Sequence, residues 1–177
     1  HGGFWFTDHG KMRRRDRDRG GVYYALPDGS EIREVIFPLD APNGIGLSAD
    51  ESTLFVSETL TGRIWSFAVS APGEITPSGG LLGKGELVHG LPGMQLLDSL
   101  AVDAEGNVCV ATIISGGVTS ASPDGADVRF FETGDPMTTN ICFGGDDLRT
   151  AYITLSATGR LVAVDWATAG LPLNFLN

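Results

Sequence analysis

Three polar residues head three similar apolar segments, and their side chains could act together on one ligand. They are Asn43, Asp98 and Asn140, each followed by a short apolar stretch. Carboxylate and amide oxygens are the ligands that a hard cation such as Ca²⁺ prefers. If the segments are equivalent strands around one axis, these oxygens converge and predict a cation site. The alternative is that each residue caps a strand or starts a turn, as Asn and Asp commonly do.

The three segments share one layout, which indicates a repeated strand unit. Each runs from the polar residue through a short apolar strand, an acidic turn, a second β-rich strand and a Gly turn to a third strand. The three heads lie 55 and 42 residues apart, a spacing typical of the four-stranded blades of a β-propeller. The segments are 43–67, 98–120 and 140–164.

The opening residues are predicted to form a further, incomplete unit. Residues 3–8 (GFWFTD) predict a second strand, 22–26 (VYYAL) a third and 32–37 (IREVIF) a fourth, with a turn signal at 27–30 (PDGS). The first strand of this unit is then expected before His1.

The predicted fold class is therefore all-β, a β-propeller of four-stranded blades that is partial. At about 40–45 residues per blade, the chain holds about four blades, the first incomplete. A single domain over 1–177 divides into units of about 1–40, 41–95, 96–137 and 138–177. A β-sandwich can also hold short strands at this spacing, but the recurrence of the whole unit favours the propeller.

The charge of the chain is uneven. The net charge is −10, yet six of the 12 basic residues lie within positions 11–19. The acidic remainder argues against a nucleic-acid-binding surface, and the longest apolar runs are too short to cross a membrane. The basic run is either an anion-binding loop or a solvated connection between strands, and its mixed signs favour the connection.

The cysteines and histidines predict no zinc site. Cys109 and Cys142 each sit in an apolar strand-like stretch, so both are expected to be small buried hydrophobes. His1, His9 and His89 have no metal-ligand spacing. No secretory signal is visible, and the expected location is the cytoplasm.

Several further motifs follow one another along the chain: 3–8 (GFWFTD), 42–48 (PNGIGLS), 58–65 (ETLTGRIW), 98–107 (DSLAVDAEGN), 139–145 (TNICFGG) and 170–175 (GLPLNF). In this order they resemble the gluconolactonase, senescence marker protein and luciferin-regenerating enzyme family. This resemblance implies a six-bladed propeller that binds one divalent cation and hydrolyses sugar lactones.

The resemblance also implies which residues hold the cation. The family's metal ligands are a Glu, two Asn and an Asp; by matching of motifs, Asn43 is the second Asn and Asp98 the Asp. The Glu, the first Asn and a substrate-contacting Arg are expected upstream of His1. Asn140 matches a channel-lining position that is not a ligand. The implied cation is Ca²⁺, with Zn²⁺, Mn²⁺ or Mg²⁺ as alternatives.

The implied reaction is the opening of a small-molecule lactone by an activated water. A divalent cation polarises the carbonyl group and lowers the pKa of a bound water. Asp98, the carboxylate at a matching channel position, is predicted to be both a ligand and the general base. A serine hydrolase is not supported, because the sequence has no Gly-x-Ser-x-Gly elbow.

Two other functions stay open at this point. A propeller also serves as a non-enzymatic scaffold or binding module, because fold does not fix function, and a lactonase fragment without its N-terminal ligands would be inactive. A partial propeller exposes strand edges and apolar faces. We therefore expect self-association or pairing with the missing N-terminal blades, with no nucleic-acid or membrane partner.

Overall fold

The computed structural model describes residues 2–77 and 85–174. These residues form four antiparallel sheets that follow one another along the chain. The predicted all-β class is confirmed: the described ranges contain no helix, and hence none that could cross a membrane. Phe175, in the last of the quoted motifs, lies outside the described ranges.

The first two sheets cover the N-terminal half of the chain. The strands of the first sheet are β1 (Phe4–Asp8), β2 (Gly20–Ala25) and β3 (Ile32–Leu39). The strands of the second are β4 (Pro42–Leu47), β5 (Thr53–Glu58), β6 (Arg63–Ala71), β7 (Glu74–Ile75) and β8 (Glu86–Gly90). The short strand β7, which was not predicted, pairs with the end of β6, and β8 pairs with its beginning.

The third and fourth sheets repeat this antiparallel order. The strands of the third are β9 (Leu96–Val102), β10 (Val108–Ile113), β11 (Gly117–Ala121) and β12 (Val128–Glu132). The strands of the fourth are β13 (Thr138–Gly144), β14 (Thr150–Leu155) and β15 (Arg160–Asp165). Strand β9 contacts both β4 and β13, as the inner strands of consecutive propeller blades do.

The register of β1 shows that it takes the place of a second strand. Thr7 in β1 pairs with Val22, as Ser57 in β5 pairs with Ile64. β1 also contacts β4, as β5 contacts β9 and β10 contacts β13. In register and contacts β1 therefore corresponds to β5 and β10, the second strands of the second and third sheets.

The burial of each strand follows from its neighbours on either side. Three apolar clusters fill the spaces between consecutive sheets, so the second and third sheets are covered on both faces. β10 is consequently buried almost throughout and consists of a nearly continuous apolar run (VCVATI). β14 alternates between buried and more exposed residues, because among the described residues only one face of the fourth sheet is covered.

The same geometry corrects the prediction for the cysteines. Cys109 is fully buried, as expected, but Cys142 is exposed. Cys142 lies on β13 and pairs with Tyr152 on the uncovered face of the fourth sheet. The apolar stretch around it did not distinguish the covered face from the uncovered one.

This difference predicts selective thiol chemistry. Burial raises the pKa of Cys109 to about 12, and a thiol reagent attacks the thiolate. We expect a disulfide reagent to modify Cys142 alone in the native protein, and both cysteines in urea. Colorimetric thiol counting with mass mapping measures this, with Cys142→Ser as the control. Rapid modification of native Cys109 would contradict the burial.

Candidate functional site

The predicted ligands Asn43 and Asp98 lie at one end of two adjacent inner strands. Asn43 is the second residue of β4, and Asp98 is the third residue of β9. The backbones approach closely at this point: a Cβ atom added at Gly44 would lie 2.7 Å from the Asp98 carbonyl oxygen. Only glycine fits at this position without displacing β9. Gly44 thus allows β4 to approach β9 closely next to Asn43.

The two side chains interact. Burial raises the pKa of Asp98 above its ordinary value, and hydrogen bonds from the Asn43 side chain and the Ser99 backbone oppose this effect. The Asn43 Nδ2 atom also donates a long hydrogen bond, 3.4 Å, to Thr59 Oγ1. A partly buried carboxylate with a raised pKa is a stronger base than an exposed one, which suits it to accept a proton near neutral pH.

His9 is a further residue of this site that the sequence analysis missed. It follows β1, and its electrostatic interaction with Asp98 is one of the smaller effects that oppose the rise of the Asp98 pKa by burial. No sequence pattern indicates this role, because neither His9 nor its neighbours form a spaced motif. Its proximity to Asp98 depends on the packing of β1 against β4.

All three inner strands have an irregular register at the same level. At each irregularity, two residues of the inner strand lie opposite one residue of the second strand, as in a β-bulge. The opposing residues are Ser57, Ala111 and Thr154. The inner-strand pairs are Asn43 and Gly44 in β4, Asp98 and Ser99 in β9, and Thr139 and Asn140 in β13.

This register corrects the sequence alignment of the third segment. Thr139, rather than Asn140, is the structural equivalent of Asn43 and Asp98, because each directly follows the last regular pair before the irregularity. Asn140 is exposed, and the Thr139 hydroxyl bonds to Thr154 Oγ1 at 2.9 Å. A shift of one residue moves a strand side chain to the other face. The third convergent amide is therefore absent from this position.

The basic run forms the loop between β1 and β2, at the same end as Asn43. Arg17 and Arg19 bind the two carboxylate oxygens of Asp40 at 2.6 and 2.7 Å. Arg13 binds Asp18 at 2.7 Å. The loop is exposed, and the two ion pairs with Asp40 attach it to the chain three residues before Asn43. The basic run thus connects two strands, with three of its cations paired to carboxylates.

Glu58 supports the same end of the second sheet from inside. Its side chain is 0% exposed. Oε1 accepts a hydrogen bond from the Asp40 backbone N–H at 2.7 Å, and Oε2 accepts one from the Thr61 hydroxyl at 2.6 Å. Glu58 therefore fixes the turn from which β4 and Asn43 begin.

The oxygen atoms of this site are of the type that a hard cation binds, but they are too few to complete its coordination shell. Within residues 2–77 and 85–174, no cluster of three or more His, Cys, Asp or Glu could hold a metal ion. The Asn43 amide oxygen and the Asp98 carboxylate are oxygen donors, which suit Ca²⁺. They supply two of the six to eight oxygens that Ca²⁺ takes.

Comparison with known proteins gave one family match and several named relatives. The family described as the SMP-30/Gluconolactonase/LRE-like region matches residues 1–157. A relative from Staphylococcus epidermidis, named Lactonase drp35, is 33% identical over 155 residues, which are 85% of this chain and 43% of that protein. A Staphylococcus haemolyticus protein of the same name is 35% identical over 111 residues. The chain spans less than half the length of these curated relatives.

Solved structures show the same fold. A gluconolactonase from Xanthomonas campestris superposes with a TM-score of 0.65 at 26% identity, over 86% of this chain and 50% of that one. A luciferin-regenerating enzyme superposes with a TM-score of 0.74 at 17% identity, over 98% and 62%. A calcium-binding protein, regucalcin, from Agrobacterium tumefaciens gives 0.73 at 22% identity, over 97% and 59%. The last two, at low identity, support the fold alone.

Proposed function

Because this chain belongs to the SMP-30/gluconolactonase/LRE-like family, we propose that it acts in the metal-dependent hydrolysis of sugar lactones. Asn43 and Asp98 would hold the cation, and Asp98 would also be the general base. The observation that carries this proposal is the pairing of Asn43 with a partly buried Asp98 whose pKa burial raises. Ca²⁺ is the cation that the oxygen donors fit best.

The residues divide the chemistry between them. When bound, a divalent cation supplies polarisation of the lactone carbonyl and acidification of a water. The Asp98 carboxylate accepts the proton of the attacking water while the water oxygen bonds to the carbonyl carbon. Cleavage of the ring C–O bond and return of a proton to the ring oxygen then give the hydroxy acid. Asn43 is a neutral ligand that presents its amide oxygen, so it does not reduce the charge of the cation.

Metal removal is the direct test of this proposal. We expect the full-length protein to open sugar lactones in a pH-stat assay, and a chelator to lower the rate about 100-fold or more, because both carbonyl polarisation and water activation are lost. Adding Ca²⁺, Zn²⁺, Mn²⁺ or Mg²⁺ back in turn identifies the effective ion. Full recovery of the rate on addition of excess cation shows that the chelator has not damaged the protein.

Two results would overturn the proposal. Lactone opening at an unchanged rate after exhaustive chelation would exclude the cation from the mechanism. A folded, cation-loaded protein that opens no lactone in a broad panel would favour the non-enzymatic binding module.

A further inference from the structure

A single buried hydroxyl joins the two strands that carry Asn43 and Asp98. Ser57 lies on β5, opposite the irregular register of β4, and is 0% exposed. Its Oγ accepts a hydrogen bond from the Gly44 backbone N–H at 2.8 Å and donates one to the Asp98 carbonyl oxygen, also at 2.8 Å. Ser57 therefore contacts the backbone next to one predicted ligand and the backbone of the other.

The preceding sheet has the same arrangement. Thr7 on β1 occupies the position that Ser57 occupies on β5, since Thr7 pairs with Val22 as Ser57 pairs with Ile64. The Thr7 Oγ1 atom donates a hydrogen bond of 2.7 Å to the Asn43 carbonyl oxygen. Each of the two predicted ligands thus has its own carbonyl group held by a hydroxyl from the sheet before it.

The third sheet has no side-chain hydroxyl at this position. Ala111 on β10 is the equivalent residue, because it pairs with Val118 in the same register. Alanine has no hydroxyl, and the residue of the following inner strand at this level is Thr139, which is not a predicted ligand. The hydroxyls therefore coincide with the two positions that hold Asn43 and Asp98, and they are missing where no ligand is predicted.

A carbonyl group held in this way fixes the direction of the side chain on the same residue. The hydrogen bond restrains the peptide plane and with it the Cα–Cβ bond, at an irregularity where the regular ladder does not do so. Ligand oxygens have to stay within about 0.5 Å of their working positions. Partners that orient metal ligands typically contribute about 10- to 100-fold to metal affinity.

We propose that Ser57 and Thr7 are positioning residues, whose hydroxyls clamp the backbones of Asp98 and Asn43 so that the two side chains face one cation. The inference rests on the proposed cation site. It adds Ser57 and Thr7 to the site as residues that touch neither the cation nor the substrate. It also explains why adjacent sheets rather than local sequence orient the ligands.

The test uses the full-length protein with Ser57→Ala and, separately, Thr7→Val. We expect each variant to bind Ca²⁺ about 10- to 100-fold more weakly by calorimetry. In the metal-free protein, NMR three-bond couplings should show that the side chain of Asp98 in Ser57→Ala, and of Asn43 in Thr7→Val, averages between rotamers. Thr7→Val preserves shape, and so tests the idea even if Ser57→Ala does not fold.

Two further variants separate positioning from packing. Ser57→Thr retains the hydroxyl, as Thr7 does naturally, and should restore affinity to within about threefold of wild type. Thr154→Val removes the equivalent hydroxyl of the fourth sheet, which bonds to Thr139 in its own sheet, and should leave affinity unchanged. Urea unfolding of all variants measures the purely structural effect.

The outcomes distinguish this inference from the proposed function. Lower stability with unchanged Ca²⁺ affinity and unchanged rotamers would overturn the positioning role. A wild-type protein that binds no Ca²⁺ would overturn the proposed function, and the metal-free rotamer measurement would then decide the clamp by itself. Rotamer averaging in the variants would support it, and fixed rotamers would overturn it.

Discussion

Asp98→Asn is expected to lower kcat/KM for lactone opening by about 10² to 10⁴, the usual contribution of a general base. The amide has the same shape and can still accept the hydrogen bond from the Ser99 backbone, but it cannot take a proton from water. Initial rates in a pH-stat assay at saturating cation measure the effect. Asp146→Asn is the matched control, because Asp146 is an exposed carboxylate in the turn after β13, on a different sheet from Asp98.

The same substitution should not destabilise the metal-free protein. Burial raises the pKa of Asp98, so the folded state binds the Asp98 proton more tightly than the unfolded chain. The free energy of unfolding then falls as the pH rises from the ordinary pKa through the raised one. At neutral pH the ionised carboxylate costs stability, and asparagine removes this cost. We expect a midpoint of urea unfolding at pH 7 equal to or above that of wild type.

Two results would contradict this role of Asp98. Retention of lactonase activity by Asp98→Asn would remove the carboxylate from the mechanism. Loss of activity accompanied by a large loss of stability would show that Asp98 acts through folding instead.

Of the substitutions considered, Glu58→Ala should lower the free energy of unfolding most, by about 2 to 4 kcal/mol. The substitution removes the acceptor of the Asp40 backbone N–H and of the Thr61 hydroxyl, and it leaves a cavity inside the second sheet. Urea unfolding followed by fluorescence measures the change. The turn before β4 should loosen as well, so lactonase activity should fall even at temperatures where the variant remains folded.

Glu58→Gln and Glu105→Ala make this test specific. Glutamine keeps the volume and one acceptor oxygen, so we expect a loss of only about 1 kcal/mol. Glu105 is an exposed residue of the turn after β9, and its replacement should change stability by less than about 0.5 kcal/mol. A Glu58→Ala variant as stable as the Glu105→Ala control would show that the two hydrogen bonds have no net effect on stability.

The strand order was predictable because it depends on local signals. Turn residues at Pro27 to Ser30 and the acidic turns after β4, β9 and β13 interrupt runs of β-branched and aromatic residues, and this pattern favours short strands regardless of tertiary context. The repetition of the whole unit indicated that the strands form equivalent sheets. Even the assignment of residues 3–8 as a second strand follows from its place in the unit, and its pairing in the structure agrees.

The two wrong predictions, for Asn140 and Cys142, both concern the face of a strand on which a side chain lies. The alignment placed Asn140 with Asn43 and Asp98, but an irregularity of register puts Thr139 at that position. Cys142 was expected inside, but its face of the fourth sheet is uncovered within the described residues. In a strand, one position decides which face a side chain takes, and neither register nor the covering of a face is encoded in neighbouring residues.

Residue type and spacing were enough to predict the all-β class, the repeated unit and two oxygen-bearing residues, Asn43 and Asp98, at the heads of their strands, because these features depend on local signals. The packing of the sheets was needed to show that the two side chains interact and that burial raises the pKa of Asp98. It also revealed the roles of Glu58 and of the Ser57 and Thr7 hydroxyls in holding the backbone near them. The hydrogen bonds of Ser57, Thr7 and Glu58 alone join residues up to 41 positions apart. Such contacts arise because the packing of one sheet on the next sets which groups lose water and which find a partner.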